Sequence, residues 1–324
     1  MLPFSYQTVQ SEEDAVRSAI AGGRYIAGGT TLIDLMREEV ERPARLIDIN
    51  GLPLRGVRMG PDGLVIGALA RMSDVAADPV TAQAQPLIVE ALLEGASPQL
   101  RNMASIGGNL LQRVRCPYFR TLDAPCNKRA PGTGCAAIDG ENRTHAIFGT
   151  SDRCVATHPS DLAVALVALD ALVRTRGPDG ERRFLVEDLY RLPADTPHLE
   201  HTLMPGELIV AVEVPDGAYA RRAQYVKVRD RSSYEFALVS VAAALDIANG
   251  EIRSARIAAG GVATKPWRFR ASEATLVGRR PDADAWQTAA DLAIDGATSL
   301  SGNGYKVELL RRTIIRALEM VAAR

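Results

Sequence analysis

All four cysteines of the chain, Cys116, Cys126, Cys135 and Cys154, fall in one window, separated by nine, eight and eighteen residues. Thiolates are strong ligands for soft and borderline metals. Their confinement to one window reads as a ligand set for a single metal centre. Two glycine turns stand upstream, Ala27-Gly28-Gly29-Thr30 and Ser105-Ile106-Gly107-Gly108-Asn109. Glycines let the backbone approach a phosphate, and amides at a helix start point at the anion. A phosphate-bearing cofactor beside a metal centre is the equipment of a protein that moves electrons.

The local spacing of the thiols matches no standard motif. Tight Cys-x-x-Cys pairs, usual in structural zinc sites, are absent. So is the bacterial ferredoxin run. Between Arg113 and Cys154 there are seven basic residues against four acidic ones. That excess is expected to lower the thiol pKa values and to offset the charge of an iron–sulfur cluster. On the residues alone an iron–sulfur cluster, a zinc ion, disulfides and free thiols all stay open. The first glycine turn has Thr30 and Thr31 as hydroxyl donors, but it lacks a Walker lysine and the Rossmann spacing. It can also be read as a plain strand-to-helix turn. Asp161 follows Ser160 at a helix start, where it caps or charges the first turn, or accepts from a ribose hydroxyl. His145 and His158 flank the last cysteine and read as ordinary hydrogen-bonding groups. His198 and His201 lie in a loop that reads as solvated. No Ser-His-Asp set and no carboxylate pair stands out, so no catalytic side chain is assigned.

The elements around these residues alternate. A helix starts after Ser11 and ends at Gly22-Gly23. A short strand at Tyr25 runs into the first turn, and a helix follows over about 31–40. Strands are expected at Arg45–Ile49 and Leu64–Gly67, the latter leaving a Pro61-Asp62-Gly63 turn, and at Leu208–Pro215. Pro86 to Glu94 is apolar at helical spacing, and the run from Leu162 to Val173 is apolar. The segment 116–154 has no sustained period, and a loop of that length needs a reason such as bound metal. The last third reads as strands at 225–228, 237–247 and 252–258, then a helix at 307–323. The net charge of −1 leaves no basic face for nucleic acid. No apolar run approaches the roughly 20 residues that span a bilayer, and the N-terminus does not read as a signal peptide.

Taken in order, the motifs Ala27-Gly28-Gly29-Thr30-Thr31-Leu32, Ala104-Ser105-Ile106-Gly107-Gly108-Asn109-Leu110, Ser160-Asp161, Pro205-Gly206-Glu207-Leu208-Ile209 and Lys227-Val228-Arg229 resemble the FAD-binding subunit of the molybdenum hydroxylases, the xanthine oxidase family. The resemblance spans the whole chain. The sequences around Cys116, Cys126 and Cys135 are similar to the flavin subunit of bacterial periplasmic aldehyde oxidoreductase, which carries a 4Fe–4S cluster, as does the beta subunit of hydroxybenzoyl-CoA reductase.

The resemblance implies an α+β fold. A two-part FAD-binding domain of the vanillyl-alcohol-oxidase type would cover 1–215, with a cluster-binding insertion at about 110–157. A C-terminal domain with a small antiparallel sheet and helices would cover 216–324. It implies FAD and a 4Fe–4S cluster as cofactors, with Cys116, Cys126, Cys135 and Cys154 as metal ligands. Tyr25, Ile26, Ala27, Gly28, Gly29, Thr30, Thr31 and Leu32 would wrap the pyrophosphate, and Ser105, Gly108 and Asn109 would close on it. Asp161 would hold the adenosine end, Leu208 or Ile209 the adenine, and Lys227 the isoalloxazine. The expected role is electron transfer within an aldehyde oxidoreductase. The partners would be a large molybdenum subunit and a small 2Fe–2S subunit, in a heterotrimer or its dimer. Location would be periplasmic by export on a partner's signal, or else cytoplasmic. The segment Arg229–Glu235 carries no nicotinamide fingerprint, so an external acceptor other than NAD is expected. A stand-alone flavin oxidoreductase, with the four cysteines holding a structural zinc ion, is the rival reading.

Overall fold

The computed structural model describes residues 1–324. Three sheets carry the chain. Strands β1 (Ser5–Thr8), β2 (Arg24–Ile26) and β3 (Arg45–Asp48) form a parallel sheet in the order β1-β3-β2. Strands β4 (Val57–Gly60), β5 (Gly63–Gly67), β6 (Leu172–Gly177), β7 (Gly180–Leu185) and β8 (Leu208–Pro215) form an antiparallel sheet in the order β4-β5-β8-β6-β7. The last four, β9 (Ala223–Val228), β10 (Val239–Ala248), β11 (Glu251–Gly260) and β12 (Trp267–Arg268), form an antiparallel sheet in the order β12-β11-β10-β9. The α+β class expected from the sequence is the one observed.

The last sheet explains its own composition. Along β10, Ala242 and Ala244 pack into one core with the helix Asp161–Ala168, while Val241, Ala243 and Leu245 pack into another with the helices Ala283–Ala293 and Tyr305–Ala322. Successive side chains of a strand point to opposite faces. A strand covered on both faces therefore reads as one continuous apolar run. The apolar run from Leu162 to Val173 is not one element. Its helix ends at Ala168, Asp170 turns left-handed at φ 51°, and β6 begins at Leu172.

Of the helices between β5 and the cysteine window, only Pro86–Glu94 was legible in the sequence, from its helical apolar spacing. Pro79, Pro86 and Pro98 each open a helix, at Pro79–Ala84, Pro86–Glu94 and Pro98–Arg101. A proline at the first helical position loses nothing, because that amide has no intrahelical partner.

The window 116–154 holds one short helix, Pro117–Arg120, and is otherwise turns and isolated bridges. Its order comes from polar side chains that bind backbone. Arg129 donates to the carbonyls of Tyr118 (2.7 Å), Phe119 (2.8 Å), Leu122 (2.9 Å) and Ala124. The Asn127 Oδ1 accepts from the amides of Gly132 and Gly134, and its Nδ2 donates to Arg153 O.

The exit of the window is held by the start of the last helix. Asn303 donates to the carbonyls of His145 and Ala146. Lys306, fully buried, donates to Thr144 O (2.8 Å), His145 O (3.1 Å) and Gly261 O (2.7 Å). We expect Lys306→Met to keep the stem packed but strand these carbonyls, lowering the unfolding free energy by about 1–3 kcal/mol. Urea unfolding measures this, and an unchanged midpoint would mean the carbonyls find other donors.

Candidate functional site

A cleft of about 580 Å³ opens where the parallel sheet meets the β4–β8 sheet. Tyr25, Ile26, Ala27, Gly28, Gly29, Thr30, Thr31, Leu32, Ser105, Gly108, Leu208 and Ile209 all line it. The first turn approaches the second so closely that a Cβ on Gly28 would stand 1.9 Å from Met103 O. Gly29 is left-handed, at φ 71°. Five successive amides, Gly28 to Leu32, donate to no protein acceptor. A run of unpaired amides is rare in a folded chain, and here it forms a cradle for an anion.

The second turn is built differently. Its amides are already engaged: Ile106 N with Ala70 O, Gly107 N with Ala68 O, Gly108 N with Ser105 Oγ and Asn109 N with Ser105 O. What it presents to the cleft is the Ser105 hydroxyl and a glycine wall, so the two turns do not grip equally.

Three expected site residues lie off the cleft wall. The Asn109 Oδ1 accepts from Ser160 Oγ at 2.5 Å, which holds the start of the Asp161–Ala168 helix. The Asp161 carboxylate accepts from Lys227 Nζ (2.8 Å) and Tyr225 Oη (2.7 Å), and Lys227 also reaches Glu94 O. Burial pushes the Asp161 carboxyl above its ordinary range, and Lys227 only partly offsets this. The two side chains expected at separate ends of the cofactor thus stand together at one place. That place is the rim of a second cavity of about 170 Å³, lined by Asp161, Ser160, His158, His145 and Cys116 among others.

The four thiols ring one small cavity together with Val114, Phe119, Pro125, Ala137 and Ala156. Cys126 and Cys135 face each other across an antiparallel bridge, and no disulfide forms. No three His, Cys, Asp or Glu side chains converge tightly enough to hold a single metal ion. All four thiols nonetheless border one cavity, and thiolates gathered in this way are the donor type that a metal centre would use.

The expected lowering of the thiol pKa values does not hold at Cys116 and Cys154. Burial pushes the Cys116 thiol up to about 12 and raises that of Cys154 as well. The nearby cations are committed elsewhere. Arg115 pairs with Asp34 at 3.0 Å, Arg120 with Asp34 and Glu38, and Arg143 with Asp230. Metal must then displace protons from these thiols as it binds.

Sequence reasoning missed the charged residues of the cleft walls. Arg113 joins Glu41 to Glu200, all three lining the cleft, and Lys128 pairs with Glu200 at 2.8 Å. The one signal for Arg113 and Lys128 was the basic excess of the window, which had been assigned to the thiols. Of the two loop histidines expected to be solvated, His198 is exposed and His201 is not. His201 is half-buried, and burial lowers its pKa to about 4, while His158 is buried and falls to about 3.

Residues 2–217 match the FAD binding domain in molybdopterin dehydrogenase, and residues 224–321 match the CO dehydrogenase flavoprotein C-terminal domain. The chain belongs to the FAD-binding subunits of the molybdenum hydroxylases. It is 47% identical over 322 residues to the aldehyde oxidoreductase FAD-binding subunit PaoB of Escherichia coli, covering 98% of each chain. It is 28% identical to the carbon monoxide dehydrogenase medium chain of Hydrogenophaga pseudoflava, covering 100% of this chain and 99% of that one. It superposes on a chain of the solved Cu,Mo-CO dehydrogenase with a TM-score of 0.78 at 25% identity, covering 100% and 99%.

Two expectations follow from this geometry. Gly28→Ala forces the two turns apart and weakens FAD binding by about one to two orders of magnitude, on the scale of 1–3 kcal/mol for steric displacement. Titration by flavin fluorescence reads this, and an unchanged dissociation constant would remove the turn from the site. The second concerns pH. Unfolded imidazoles take up protons near 6.5, whereas folded His201 does so only near 4 and His158 near 3. The unfolded state therefore binds more protons below about 6.5, and stability falls as pH drops, by up to about 1.4 kcal/mol per pH unit for each imidazole. Urea midpoints that are equal at pH 7 and pH 5 would contradict it.

Proposed function

We propose that this chain is the electron-transfer flavoprotein subunit of a molybdenum-containing aldehyde oxidoreductase. The cleft would hold FAD, and the thiol cavity a 4Fe–4S cluster. The observation that carries the reading is the run of five unpartnered amides in a cleft large enough for a dinucleotide, in a chain 47% identical to an aldehyde oxidoreductase FAD-binding subunit. Bound there, FAD would supply the redox chemistry, receiving electrons from the 2Fe–2S clusters of a small partner subunit and yielding them to an external acceptor.

The chain's own residues position rather than react. The amides of Gly28 to Leu32 neutralise the pyrophosphate, and Ser105 adds a hydroxyl from the other wall. Arg113 holds Glu41 and Glu200 together across the cleft. The buried Lys227–Asp161 pair brings a cation and a carboxylate to one place without net charge. Cys116, Cys126, Cys135 and Cys154 would hold the cluster, since all four face one void.

Substrate oxidation would belong to a large molybdenum subunit, in a heterotrimer or its dimer. The segment Arg229–Glu235 is joined to the window through Arg143–Asp230 and carries no nicotinamide fingerprint, which favours oxygen, a quinone or a carrier protein over NAD. No helix is long and apolar enough to cross a membrane. Export to the periplasm on a partner's signal follows the resemblance to periplasmic aldehyde oxidoreductase, and cell fractionation separates it from a cytoplasmic location.

An absorption spectrum with flavin, iron and zinc analysis tests the reading. FAD with about four irons and acid-labile sulfide per chain is the expected result, and zinc in place of iron would reduce the window to a structural clip. Cys135→Ser is expected to lose iron while the cleft keeps its flavin. Full iron content in that variant would remove Cys135 from the ligand set.

A further inference from the structure

His145 is the one side chain outside the thiol set that reaches a thiol. Its Nε2 lies 3.2 Å from Cys116 Sγ, and no other cysteine sulfur has a side-chain hydrogen bond. The backbone that carries the ring is pinned. His145 N donates to Asn142 O, and His145 O accepts from both Asn303 and Lys306. The residue is 3% exposed, and its Nδ1 has no partner. Cys116 and His145 both line the second cavity, the one with Asp161 on its wall, and Cys116 also lines the thiol cavity.

We propose that His145 is a positioning residue that donates an Nε2–H hydrogen bond to the Cys116 thiolate and so sets the reduction potential of the cluster from the corner facing the second cavity. The inference rests on the 4Fe–4S reading above. A metal-bound thiolate can only accept, so the ring is held as the Nε2–H tautomer. A donor to a ligand sulfur stabilises the reduced cluster more than the oxidised one, because reduction adds negative charge to the sulfurs. Partners of this kind orient a ligand and tune the metal. The bond also singles out one of four otherwise similar thiolates, so the added charge is best accommodated on the side that adjoins the second cavity.

The test is a dithionite titration of the full chain followed by electron paramagnetic resonance, for the wild type, His145→Leu and His145→Gln, with iron and sulfide assayed in each. Leucine is expected to leave the iron content unchanged and to make one-electron reduction about tenfold less favourable, a shift of about 59 mV to more negative potential. Glutamine, which keeps a donor, should recover part of the shift. An iron-loaded His145→Leu with the wild-type potential overturns the inference and leaves the cluster standing. A wild type without iron overturns the cluster itself. Should leucine prevent assembly, the wild type in deuterated buffer decides: a shift of the iron–sulfur stretching bands in resonance Raman supports the bond, and unshifted bands overturn it.

Discussion

The cation of Arg113 stands between two carboxylates on opposite walls of the flavin cleft, Glu41 beyond the first glycine turn and Glu200 on the far lip. All three side chains are largely buried. Removing one member of such a set leaves an uncompensated charge, typically at a cost of about 3–5 kcal/mol. The set therefore acts as a strap. It continues through Glu200 to Lys128, two residues past Cys126, and so into the thiol loop. Arg115 and Arg120 make a second connection, to Asp34 and Glu38 around the helix Leu32–Arg37 that follows the first turn. The thiol loop and the dinucleotide cleft thus share one electrostatic framework. The basic excess of the window serves to join the two sites more than to activate thiols.

The features legible in the sequence were those with a local cause. A strand feeding two glycines and a helix start needs only three neighbouring elements, and it stands as expected at Tyr25 to Leu32. The cysteine window was visible because a clustered residue type is a one-dimensional signal. The α+β class followed from the family resemblance. The doubly covered strand Val239–Ala248 was also readable, since both of its faces are apolar.

What escaped was set by contacts distant in sequence. Asp161 and Lys227 meet across 66 residues, and nothing near either one announces the other. The same holds for His145 and Cys116, and for Arg113 with Glu41. The second glycine turn looked like the first, but its amides are used up by the carbonyls of Ala68 and Ala70, contributed by a segment 36 or more residues earlier. His201 was read as solvated because loops are usually exposed, whereas its part of the loop is pressed against the cleft.

The grip of the last helix on the far end of the thiol window has a consequence in time. Asn142, His145 and Ala146 take their partners from Ser301, Gly302, Asn303 and Lys306, about 160 residues later in the chain. During synthesis the four cysteines leave the ribosome long before those partners exist. Contacts of such separation are among the last to form. The frame of the thiol window is therefore completed only when the C-terminal helix docks, which makes the arrangement of its four cysteines a property of the finished chain and not of the growing one.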